Sequence, residues 1–313
     1  MGTPLSGTQH LLRSGAYEAC VASVGATLRT LCHDGRELVV VFEADAVRPA
    51  YRGATLAPWP NRVVDGVYTF GGVEHRLALT EPARGHALHG LASWLDFDAV
   101  DKGSDHVELA TVIEAQAGYP WRVRVSTRFF LGQDGLTQTV RAENLGAEPA
   151  PFGTGPHPYL VAGPGPLDSW SFELPAAEVL QVTADRLIPT ALAAVDADDP
   201  ARFDYRAARP IGAAEIDHAY TGLARDADGR AVVRVTDPSG TGVELSWGEE
   251  CGWVQVHTAD LPGGGPGNRA GLAVEPMTCA PDAFNADRYP FDTGLLVIEP
   301  GSSVEASWRI AAI

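Results

Sequence analysis

The sequence predicts an all-β fold, and three observations carry that expectation. Apolar and polar residues alternate with period two along most of the chain. No segment sustains a helical period. The 34 glycines and 23 prolines among 313 residues break the chain into short elements. Many short strands at regular spacing are the pattern of a large antiparallel sandwich. Charge and hydrophobicity shift nowhere along the chain, so residues 1–313 read as a single domain.

The elements follow in order. Residues 26–33 and 37–42 flank Asp34-Gly35, and residues 67–70 and 73–79 flank Gly71-Gly72. Both read as hairpins written around turn dipeptides. In residues 121–129, Trp121, Val123, Val125, Thr127 and Phe129 share one face, and Arg122, Arg124, Ser126 and Arg128 share the other. Gln133-Asp134-Gly135 then turns the chain, and residues 136–142 alternate back. Further strands are expected at 106–114, 169–173, 231–237, 242–247, 253–257, 270–275 and 303–310. Residues 199–207 and 281–288 could each hold a turn or two of helix. The Gly- and Pro-rich stretch 261–268 reads as a mobile surface loop.

Composition removes several functions. The net charge is −17 and no Lys/Arg cluster exists, so no nucleic-acid partner is expected. Cys20, Cys32, Cys251 and Cys279 form neither a Cys-x-x-Cys pair nor a zinc spacing. They read as reduced thiols of a cytoplasmic protein. The first thirty residues carry no signal-peptide core, and the longest aliphatic run, 38–42, is too short to span a bilayer. No membrane partner is expected. The stretch 262–267 lacks a following Lys-Ser/Thr and a helix, so it is no phosphate loop, and there is no Gly-x-Ser-x-Gly elbow.

Several separated segments hold side chains suited to chemistry. Glu275 ends an alternating strand in which Leu272 and Val274 face one way and Ala273 and Glu275 the other. Pro276 is expected to stop the ladder and aim the carboxylate into a cleft; a solvated strand-end Glu is the plainer reading. His157 lies between Pro156 and Pro158, which fix its backbone for use or for a structural hydrogen bond. His86 and His89 flank Ala87-Leu88 in a loop, and no neighbouring Asp, Glu or Cys completes a metal set, so no metal is expected. His89, followed by Gly90, is the better functional candidate and His86 the supporting one. Asn61-Arg62 precedes a hairpin, and Asp217 precedes His218. Alone, these read equally as a surface Arg and a turn Asp. Together the residues offer a carboxylate, imidazoles and a guanidinium, a set suited to moving protons on a neutral polyol without a cofactor.

The order of these segments resembles the aldose 1-epimerases, or galactose mutarotases. The matching stretches are Pro58-Trp59-Pro60-Asn61-Arg62 with Tyr68-Thr69-Phe70-Gly71-Gly72, then Leu88-His89-Gly90, His157-Pro158-Tyr159, Asp217-His218 and Val274-Glu275-Pro276-Met277-Thr278. The resemblance runs from about residue 17 to the C-terminus. It implies a β-supersandwich with a sugar in an open cleft on one sheet. It also implies Glu275 as catalytic base, His157 as catalytic acid and His89 as a second active-site histidine. Arg62 and Asp217 would hold the sugar, with Asn61 and His86 beside them. A carboxylate next to His157 would raise its pKa and keep it protonated. Trp59, Trp94 or Trp253 could stack on the ring.

The expected reaction interconverts the α and β anomers of a hexose, with no cofactor, by a monomer or homodimer. Glu81-Pro82-Ala83-Arg84-Gly85-His86 departs from the Asn-rich stretch of galactose-specific members. It resembles a bacterial subgroup that includes mutarotases of other aldoses, such as sulfoquinovose. Arg84 could then serve an anionic group on a sulfonated or phosphorylated sugar. A non-catalytic sugar-binding protein on the same fold is the reading from another class, and it predicts loss of Glu275 or His157.

Overall fold

The computed structural model describes residues 2–265 and 267–313. Its larger layer is a nine-stranded antiparallel sheet. In spatial order its strands are Asp98–Lys102, His106–Ile113, Val123–Gly132, Gly135–Asn144, Ser303–Ala312, Gly242–Trp247, Ala231–Thr236, Ser171–Glu173 and Arg209–Pro210. The central hairpin is the one written around Gln133-Asp134, with Gly132 opposite Gly135. Val123, Val125, Thr127 and Phe129 are buried, whereas Arg122, Arg124 and Arg128 are exposed, as the alternation requires.

A second, six-stranded sheet lies against it. Its order is Tyr159–Leu160, Leu272–Met277, Trp253–His257, Asp217–Leu223, Ala176–Val182 and Pro189–Ala194. Phe172, Val233, Leu245 and Trp308 of the first sheet share one buried core with Val179, Tyr220, Val254, Val256 and Val274 of the second. A four-stranded sheet, from Gln9–Ser14 to Arg36–Glu37, adds Leu12, Val21 and Leu31 to that core. The expected all-β sandwich with few short helices is what forms. Among the described residues, no helix is long and apolar enough to cross a membrane.

The structure departs from the sequence expectations in several places. Of the expected 37–42 strand only Glu37 lies in a strand, Arg36–Glu37, although the Leu38 N–H still donates to the Leu31 carbonyl and Val39 bridges Leu160. Beyond it the chain leaves its hairpin partner, and the Val40 N–H donates to the Tyr159 carbonyl at 2.8 Å. The helical stretches shrink to one α turn, Pro200–Phe203, capped by the Asp199 side chain, and the 3-10 segment Ala283–Arg288. The strands Ala176–Val182, Pro189–Ala194 and Asp217–Leu223 lie outside those expectations. Runs such as AAEVLQV and DHAYTGL lack strict alternation because both faces are partly covered. In the stretch 261–268, Pro266 lies outside the described residues, and the Leu261 N–H donates to Asn268 Oδ1 at 2.7 Å.

Candidate active site

The site is built on the outer face of the six-stranded sheet. In Leu272–Met277 the even residue Val274 enters the core, which leaves Ala273 and Glu275 facing outward. Trp253–His257 does the same: Val254 and Val256 face inward, and Gln255 and His257 face outward. Register then fixes neighbours, because Gln255 is directly opposite Glu275 and Asp217 directly opposite His257. Four polar side chains from three adjacent strands thus converge on one cavity of about 410 Å³.

Pro276 does not stop the ladder, contrary to expectation; the strand continues to Met277, opposite Trp253. The Val274 and Thr278 N–H groups donate away from that ladder, to Pro158 and Thr154. Residue 276 alternates onto the same side, so the missing proline N–H falls where it costs the Trp253–His257 pairing nothing.

The opposite wall comes from a short ladder of Arg62–Val64 against His86–Leu88, with Arg62 opposite Leu88. Two residues with positive φ, Asn61 at 53° and His89 at 60°, bound it, and the His89 N–H donates to the Asn61 carbonyl at 2.8 Å. Asn61 Oδ1 also accepts from the Arg62 N–H at 2.9 Å, which holds the left-handed turn closed. The Arg62 guanidinium donates through Nε to Glu81 Oε2 at 2.7 Å and through Nη2 to Glu81 Oε1 at 3.1 Å. Its Nη2 stands 3.7 Å from Asp217 Oδ2. Arg84 donates to Glu81 Oε1 at 2.8 Å, so one carboxylate bridges two guanidiniums. Gln255 Nε2 donates to Asp217 Oδ1 at 2.6 Å.

His157 is held by its backbone. Its N–H donates to Ala54 and its carbonyl accepts from Gly53. Its Nε2 lies 3.4 Å from Glu275 Oε1. The His89 ring packs edge-on to it at 4.9 Å between centroids, and Tyr51 packs against both imidazoles. Glu275 Oε2, His157 Nδ1 and His89 Nδ1 are buried without a hydrogen-bond partner among the described residues.

Burial dominates the electrostatics. It pushes the Glu275 carboxyl well above its ordinary pKa, Asp217 adds to the rise, and Arg62 opposes it. Burial also lowers His157, to about 3, with His257 and Arg48 adding to the fall. His89 falls well below its ordinary value for the same first reason, with His157 and Arg62 adding repulsion. The expectation that a neighbouring carboxylate keeps His157 protonated is therefore corrected. The two groups lie 3.4 Å apart, and burial, which disfavours the charged form of each, sets the direction of both shifts. Asp217 is different. Burial works against its charge, yet His257, Arg62 and Arg84 hold its pKa below the ordinary value. Glu81 is also held low, because Arg62 and Arg84 outweigh its burial.

Of the residues singled out in the sequence, Asn61, Arg62, Arg84, His89, His157, Asp217 and Glu275 all line the cavity. His86 does not. Its Nδ1 accepts from the Asp65 N–H and its Nε2 bonds the Arg186 carbonyl at 2.8 Å, so it braces the wall from behind. None of the three tryptophans offered as alternatives for stacking on the ring lines the cavity. Trp59 and Trp253 are buried against Phe284 and Phe291, and exposed Trp94 lies under the Arg48 guanidinium. The aromatic side chains at the cavity are Tyr51 and Tyr159. Sequence reasoning missed Glu81, Gln255, His257 and Asp260. Gln255 and His257 were within reach, since alternation in 253–257 already separates them from Val254 and Val256.

The family model for aldose 1-epimerase matches residues 8–311. An uncharacterised Escherichia coli protein, YihR, is 33% identical over 297 residues, which cover 95% of this chain and 90% of that protein. Two solved structures share the fold. An aldose epimerase homologue from C. elegans superposes with a TM-score of 0.81 at 18% identity, covering 98% of this chain and 100% of that one. A galactose 1-epimerase from Lactobacillus acidophilus superposes with a TM-score of 0.78 at 16% identity, covering 97% and 94%. The family match over nearly the whole length, on the sandwich and the convergent side chains described above, places the chain in the aldose 1-epimerase family.

Proposed function

We propose that the protein is a mutarotase that interconverts the α and β anomers of a neutral hexose. The observation that carries this reading is the Glu275–His157 pair, 3.4 Å apart at the floor of a cavity of about 410 Å³. That volume lies in the range of small-molecule sites, roughly 300–1,000 Å³. A protonated Glu275 beside a neutral His157 holds the same number of protons as a carboxylate beside an imidazolium. One proton passed between them therefore creates a base and an acid together. The carboxylate removes the proton from the C1 hydroxyl as the imidazolium protonates the ring oxygen. The C1–O5 bond breaks, C1 becomes an aldehyde, and rotation about C1–C2 presents its other face. Reclosure with the transfers reversed gives the other anomer. Arg62, Asp217 and Asn61 would hold sugar hydroxyls, with His89 beside C1.

An anionic sugar is the second reading, and Arg84 at the cavity favours it. The charge balance favours the neutral sugar. Glu81, Asp217 and Asp260 line the cavity, and both Arg62 and Arg84 are committed to Glu81. The likeness to a galactose 1-epimerase, at 16% identity, does not choose between galactose and glucose.

The test is the approach of fresh α-D-glucose and α-D-galactose to anomeric equilibrium by polarimetry, with wild type, Glu275→Gln and buffer side by side. Wild type should accelerate at least one sugar, and Glu275→Gln should lose about 10²–10⁴-fold in kcat. Full activity in Glu275→Gln would refute the base. Acceleration of a sulfonated or phosphorylated aldose alone would select the anionic reading, and binding without acceleration would select a sugar-binding protein.

A further inference from the structure

Three donors from separate segments of the chain lie together at the cavity. One ligand atom each from His89, His157 and Glu275 lies within 4.8 Å of the others, and all three residues are buried. This is not the His86–His89 pair weighed from the sequence, since His86 bonds away from the cavity. We propose that His89, His157 and Glu275 form a two-histidine, one-carboxylate site for a divalent transition-metal ion, and that the bound ion shuts the cavity to sugar.

The ligand types fit a borderline cation. Two imidazoles and one carboxylate on one side of an ion, with the other positions open, is a recurrent site for first-row metals. The open positions here face the cavity, where water would complete the shell. Spacing also fits. Donors about 2.0–2.2 Å from an ion in a tetrahedral shell stand about 3.3 Å apart, and the Nε2–Oε1 pair of His157 and Glu275 is already at 3.4 Å. The widest pair, within 4.8 Å, has to close by at most about 1.5 Å to reach that spacing.

The environment supplies two further reasons. Glu275 Oε2 is buried and unpartnered among the described residues, the state a metal bond relieves. Asp217 lines the same cavity and favours a cation there, while Arg62 and Arg84 are paired with Glu81 and Asp260 is paired with Arg269. Binding displaces water from the ion. The bonded atoms are those proposed to move protons on the sugar, so occupation and mutarotation exclude each other. The inhibition rests on that reading; the site itself does not.

The measurement is titration of chelator-stripped, dialysed full-length protein with Co²⁺, read by its visible d–d absorption, and with Zn²⁺ by calorimetry. No sugar is present. One ion per chain is expected. Glu275→Gln and His157→Asn, on separate segments, should each loosen binding by at least about tenfold. His106→Asn is the control, because His106 with Asp101 at 3.2 Å and Asp105 at 2.8 Å is a surface group able to hold an ion adventitiously. That variant should keep both the Co²⁺ spectrum and the sugar activity. His89→Asn serves if either first variant fails to fold by circular dichroism. No d–d bands in wild type, wild-type bands in Glu275→Gln, or loss of the bands in His106→Asn would each overturn the site. Because the spectrum is read without sugar, it can fail while mutarotation stands, and the reverse.

Discussion

Oε1 of Glu275 and Nε2 of His157 stand 3.4 Å apart, so the charge state of each bears on the other. Which group holds a proton is decided by solvation. Both side chains are nearly inaccessible, so an ion pair would have to make up for two lost hydration shells. Burial raises Glu275 and lowers His157, and the pair rests neutral. The sign has a direct consequence. A group whose pKa is lowered to about 3 gains no proton as pH falls through neutrality. Histidine ¹⁵N spectra should therefore show His157 as a neutral ring at pH 5, whereas a free imidazole titrates near about 6.5. Activity should not rise as pH drops through that range, since no new acid is being made. On the alkaline side it should fall when Glu275 releases the shared proton. A His157 that titrates near its ordinary value would remove the shared-proton reading and restore a standing imidazolium.

At the scale of elements, the site is a ladder problem. Asp217 and Glu275 met because odd positions of Asp217–Leu223, Trp253–His257 and Leu272–Met277 face one way in a fixed register. The parity of Glu275 was legible from its own strand. The pairing that sets Gln255 opposite Glu275 was not, since no local pattern states which strands are neighbours. Burial of Glu275 was illegible for the same reason, because His157, 3.4 Å away, comes from a segment distant in sequence. Glu81 shows a different gap. It lies in a turn without periodicity, yet it forms the two-pronged clamp on Arg62. Glu81→Gln would leave the buried Arg62 charge with only Asp217, 3.7 Å away. We expect KM for the sugar to rise with kcat little changed, and stability to fall by about 1–3 kcal/mol. Steady-state kinetics with urea unfolding checks both. A drop in kcat at constant KM would mean that Glu81 acts on the reacting atoms and not through Arg62.

At the scale of the whole molecule, the sandwich separates what holds it together from what it presents. Along Leu272–Met277, Val274 belongs to the inter-sheet core while Glu275, one residue on, belongs to the cavity. The two faces of one strand thus carry different duties, and changes to them should separate. Phe172 tests this. It is fully buried in the nine-stranded sheet, packs on Tyr205 at 4.9 Å between ring centroids, and lines no part of the cavity. Phe172→Ala removes a ring from a close-packed interior and should cost about 3–5 kcal/mol of stability. The outer face keeps its register through the backbone ladders, so kcat and KM of the protein that remains folded should match wild type. Thermal unfolding followed by circular dichroism gives the first quantity, and anomer kinetics well below the unfolding midpoint give the second. A matched loss of kcat in a folded Phe172→Ala protein would show that inter-sheet packing tunes the Glu275–His157 spacing, and that the two faces are one mechanical unit.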